Sequence, residues 1–127
     1  LNIIYYIQSF FIRRESMGVY DSTTKLASDI KGSKEYKEFK KYMKVIKGNP
    51  KYESILNNHR KIQMEIKSKN IKGVNIDKKT LKIAEDLKKT ISGNKDLSRY
   101  IECEYKFTSM MDNINKILAS AVYEDYK

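Results

Sequence analysis

The sequence predicts an all-α fold: a long helical hairpin plus short helices, dimerising into a helical bundle. Three observations predict it. Between Asn94 and Val122, Leu97, Tyr100, Glu104, Phe107, Met111, Ile114, Leu118 and Ala121 recur at spacings of three and four. That is a heptad-like seam held for more than three heptads, and one member of it is a carboxylate. Stop and start signals cut the remaining chain into helix-length pieces. Nowhere does strict apolar/polar alternation persist between turn signals, so no strand is expected.

The elements follow in order. The first 16 residues, LNIIYYIQSFFIRRES, differ in composition from the rest. Their charges follow the apolar run, the reverse of a signal peptide. The run has about 12 apolar residues, short of the ~20 that span a bilayer. Leu1 is what a TTG start codon would read as, and Arg13-Arg14-Glu15 can be written in purines like a ribosome-binding site. Residues 1–16 are therefore expected to be a non-native, translated leader, disordered or loosely packed, with a single helical domain over 17–127.

Asp21 or Ser22 is expected to cap a first helix whose face carries Thr23, Leu26, Ala27 and Ile30. Gly32 ends it and Ser33 caps the next. The second helix, over 34–47, sets Tyr36, Phe39, Met43 and Ile46 inward and stops at Gly48. Asn49-Pro50 is an N-cap followed by proline at the first helical position. The helix it starts runs to Lys72 and Gly73, with Ile55, His59, Ile62, Ile66 and Lys69 as its seam. Asp77 caps a fourth helix bearing Ala84, Leu87 and Ile91. Ser92-Gly93-Asn94 breaks the chain before the last, longest helix. Ile101, Met110 and Ile117 widen that helix's seam.

Composition narrows the function. The 127 residues fit one domain, and one Cys excludes an internal disulfide and suits a reducing compartment. Net charge is +10, from 22 Lys and four Arg against 16 carboxylates. A basic balance raises nucleic acid as a partner. Arg, the residue that forks phosphates and guanine edges, is scarce, and Lys, Ile, Asn and Tyr all have AT-rich codons. Nucleic acid is therefore a partner the sequence allows but does not favour. Lys34, Lys37, Lys40, Lys41 and Lys44 line the outside of the second helix as a basic surface.

No catalytic constellation exists: there is no glycine-rich phosphate loop, no Ser/His/Asp set and no metal-spaced Cys/His cluster. His59 lacks the Glu-x-x-His partner of di-metal bundles and reads as a polar residue in a helix seam. Cys103 stands between Glu102 and Glu104, whose charges oppose thiolate formation. Glu104 replaces an apolar residue mid-seam. It either drifts to solvent or, with His59, Arg60 and Gln63 as its partners, ligates a metal or fixes helix register. No metal, cofactor or catalytic residue is expected.

Four stretches, VYDSTTKLASDIKGSKEYKEFK, GNPKYESILNNHRKIQMEI, SRYIECEYKFTSMMDNINKILASAV and the Gly73 connector, resemble the bacterial YlbF/YmcA family, most closely its YheA-like branch. The resemblance covers nearly all of 17–127 and none of 1–16. It implies a helical hairpin that dimerises, and a non-enzymatic cytoplasmic regulatory factor of Gram-positive bacteria. Relatives influence competence, sporulation and biofilm formation and associate with RNA-processing machinery. Some have cysteine sites linked to an iron–sulfur cluster; with only Cys103, one protomer cannot supply four thiolates. The expected partners are a second copy, joined through the seams of the two long helices, and an unidentified protein; no membrane is expected.

Overall fold

A computed structural model describes residues 17–124. It contains five helices and no strand among those residues: α1 (Met17–Gly32), α2 (Lys34–Lys47), α3 (Pro50–Lys72), α4 (Lys78–Ser92) and α5 (Lys95–Glu124). The expected leader, residues 1–16, lies outside the described residues. The chain divides into two compact units, Leu1–Lys37 and Glu38–Lys127.

In the first unit α1 is already helical at Met17, so Asp21 and Ser22 lie inside the helix and cap nothing. The Thr23 hydroxyl donates to the carbonyl of Val19, four residues back, at 2.8 Å. Leu26 and Ile30 are half-buried on the predicted face, while Ala27 and Thr23 are exposed. Ser33 does cap: its hydroxyl accepts from the Tyr36 N–H at 3.2 Å and donates to the Ile30 carbonyl at 2.6 Å.

In the second unit the helix ends are set by local chemistry. The Asn49 side chain accepts from the Lys51 and Tyr52 N–H groups, and Pro50 needs no partner at the first helical position. Gly73 closes α3 at φ 69°, a left-handed conformation that favours glycine. The Asp77 carboxylate accepts from the Thr80 N–H at 2.8 Å. Asn94 is a cap as well as a breaker: its side-chain oxygen accepts from the Leu97 N–H at 3.1 Å.

α3 packs along α4, and α4 along α5. The amide of Asn94 donates to the Tyr52 hydroxyl at 3.3 Å, and Arg60 donates to Glu104 at 3.0 Å. The residue numbers rise together across these pairs, so α3 and α5 run parallel, with α4 antiparallel to both. The buried core, Ile46, Leu56, Ile91, Leu97 and Tyr100, sits at the end nearest the α2–α3 and α4–α5 turns. Phe39, Tyr42, Met43, Tyr52, Ile55 and Ile101 pack around it. Phe39 from α2 stacks tilted against Tyr100 and Phe107 of α5, centroids 5.8 and 5.0 Å apart.

Candidate functional site

Three features of the second unit stand out. The first is a polar clasp between α3 and α5. The Tyr100 ring is buried, and its hydroxyl donates to Glu104 Oε2 at 2.7 Å. One guanidinium nitrogen of Arg60 donates to that hydroxyl at 2.9 Å and to the same carboxylate oxygen at 3.0 Å. Glu104 therefore neither drifts to bulk solvent nor sits deep in the seam; its side chain is 31% exposed and paired. Burial pushes the Tyr100 phenol up from its ordinary value, and the Glu104 charge adds to that. The phenol therefore stays protonated and donating. The spacing of the sequence points to Glu104 and Arg60, while Tyr100 stands in it only as an apolar seam position. A Tyr four residues before a seam carboxylate is the signal that could have shown it, because i and i+4 share a helix face.

The second feature is a groove of about 660 Å³ framed by α3, α4 and α5. His59 and Gln63 line it, together with Ala84, Ile91, Ser98 and Ile101. These two residues thus lie in the groove and not in the clasp. The shielded His59 Nδ1 has no hydrogen-bond partner among the described residues. No group of three His, Cys, Asp or Glu among those residues could hold a metal ion. Cys103 is buried, and burial first, then the charges of Glu38 and Glu102, push its thiol up and away from thiolate chemistry.

The third feature is the distribution of apolar and charged surface. Along α5, Leu97 and Tyr100 are buried, Ile101, Phe107, Met111 and Ile114 half-buried, and Leu118 and Ala121 exposed. On α3, Ile55, Ile62 and Ile66 are half-buried. In the α3–α5 register, Lys72 at the end of α3 lies roughly level with residues 114–116, and α5 continues to Glu124. Ile117, Leu118 and Val122 on that overhang are 67, 54 and 63% exposed. Lys40, Lys41 and Lys44 of α2 are exposed, as are Lys34 and Lys37 in the first unit. α2 carries six Lys against two Glu, and α3 six cations against two Glu. α5 carries four cations against five carboxylates, so the excess positive charge lies off the longest helix. No helix among the described residues is long and apolar enough to cross a membrane.

Comparison with known proteins gives one family. Residues 19–123 match the family described as "Control of competence regulator ComK, YlbF/YmcA". A UPF0342 protein of Halothermothrix orenii is 34% identical over 102 residues, spanning 80% of this chain and 86% of that one. A UPF0342 protein of Clostridium novyi is 32% identical over 110 residues, 87% of this chain and 96% of that one. Among solved structures, a "Protein of Unknown Function (DUF964) from Bacillus stearothermophilus" superposes with a TM-score of 0.66 over 87% of this chain and 96% of that one. Their identity is 16%, so the likeness is one of fold. The match over residues 19–123 covers most of the chain: the chain belongs to the YlbF/YmcA family, whose description is control of the competence regulator ComK.

Proposed function

We propose that this protein is a non-enzymatic, cytoplasmic regulatory adaptor that acts by helix-surface contacts, and that it works as a homodimer joined at the overhang of α5. The observation that carries this reading is the uncovered apolar stripe of Ile117, Leu118, Ala121 and Val122. A continuous apolar strip on a soluble chain marks a contact surface. A two-fold pairing is the commonest way to cover such a strip with a second copy. Charge supports the choice of face. A chain of net charge +10 repels its own copy, and the segment 113–123 contains a single charge, Lys116. Regulation of competence, sporulation, biofilm formation or RNA processing is the role the family suggests for the dimer.

A second reading is favoured by the lysines of α2. Six Lys on 14 residues would serve a nucleic-acid backbone, with affinity falling steeply as salt rises. Affinity capture from the source bacterium separates the two. The adaptor reading expects a discrete protein set that survives nuclease treatment at about 300 mM salt, where phosphate contacts are strongly screened. Loss of every captured protein on nuclease treatment contradicts it and supports the nucleic-acid reading.

A further inference from the structure

We infer that the outward face of α3 is a preformed socket for an acidic amphipathic helix of another protein. The inference rests on the adaptor reading and names the chemistry of its partner. A helix in a single packed layer normally has one apolar face. α3 has two. At roughly 100° per residue, Ile55, Ile62 and Ile66 share the half-buried inner face, and Met64 and Ile71 lie on the opposite side. Those two are 72 and 77% exposed, more than the apolar residues of the α5 overhang.

Their spacing gives the surface a shape. Met64, Lys67, Ser68 and Ile71 stand at i, i+3, i+4 and i+7, the four positions that form the hole receiving one knob in helix-to-helix packing. They line an open, shallow hollow of about 310 Å³, with Lys72 at its edge. Ser68 is what makes the hollow, since a larger side chain there would fill it. A hole of this pattern fits a side chain projecting from a facing helix.

Charge decides which helix. Lys67 and Lys72 line the hollow and Lys61 lies beside it on the same face. No carboxylate lines it, and Glu65 is tied to Lys69 at 3.2 Å. A second copy of α3 would set lysine against lysine, which disfavours self-pairing. A helix with apolar knobs flanked by Glu or Asp meets both the hole and its rim.

The test uses the full chain and two synthetic helices of about three heptads with leucine at the knob positions, one flanked by Glu and one by Lys. At about 150 mM salt, fluorescence anisotropy should show the Glu-flanked peptide binding in the micromolar range and the Lys-flanked one at least about tenfold weaker. Ser68→Phe fills the hole at an exposed position without changing charge. It should weaken binding at least about tenfold with the melting midpoint unchanged. Ser54→Phe, the same change at an exposed position about 20 Å away along α3, should bind as the wild type does. Failure of the wild type to bind, or equal binding by Ser68→Phe, overturns the socket. So does association with phosphatidylglycerol vesicles that Ser68→Phe abolishes while the peptide stays unbound. A wild type that ignores the peptide yet retains its nuclease-resistant protein set refutes the socket alone; loss of that set refutes the adaptor reading itself.

Discussion

The Tyr100 hydroxyl accepts a hydrogen bond from Arg60 and donates one to Glu104, so one buried phenol ties α3 to α5. Arg60 is half-exposed, and its ion pair with Glu104 is worth little on its own in contact with water. The hydroxyl is different, because its partners would lose a shared neighbour inside the protein. Tyr100→Phe keeps the ring and should cost about 1 kcal/mol in urea unfolding. The N-cap carboxylate of Asp77 gives a pH-dependent case. Bonds from the Thr80 side chain and N–H hold it below the ordinary carboxylate range. Its contribution is complete above the unfolded value and disappears as pH falls through the lowered folded one. Asp77→Ala should therefore melt below the wild type at neutral pH, with the gap closing on acidification below the usual carboxylate range. Melts by circular dichroism across that range check it.

Helix boundaries were legible wherever one residue carries the signal. Asn49-Pro50, Gly73 and Asp77 each satisfy or release backbone groups by local geometry, and the structure uses them so. The start of α1 was not legible, because Asp21 and Ser22 look like caps whether or not helix precedes them. The seam of α5 was legible as a pattern, but the pattern does not say what covers it. A straight helix drifts about 20° per heptad against a strict repeat. The buried line accordingly runs through Cys103 next to Glu104, and leaves the carboxylate at the edge where Arg60 reaches it. The Asn94–Tyr52 and Tyr100–Arg60 bonds join residues 40 or more positions apart, and no local periodicity reports such pairs. The overhang of α5 is equally hidden, since it depends on the parallel register of α3 and α5.

At the scale of the whole molecule, positive charge concentrates away from the longest helix. α2 and α3 hold a large excess of lysine, while α5 is close to neutral and ends in an uncovered apolar stripe. That division suits a chain that pairs with its copy through α5 and offers its basic helices outward. Leu118 tests it well, because its side chain is 54% exposed within one chain and a charge there leaves the protomer's own core intact. In a two-fold pair the same charge would be buried twice without a partner, at a cost of several kcal/mol, or roughly a thousandfold or more in dimer affinity. Light scattering on wild type and Leu118→Asp at micromolar concentration is the most direct measurement. The wild type should run near twice 15.0 kDa, and the variant near 15.0 kDa with unchanged helicity. A wild type that stays at 15.0 kDa, or a variant that remains dimeric, would contradict pairing through α5.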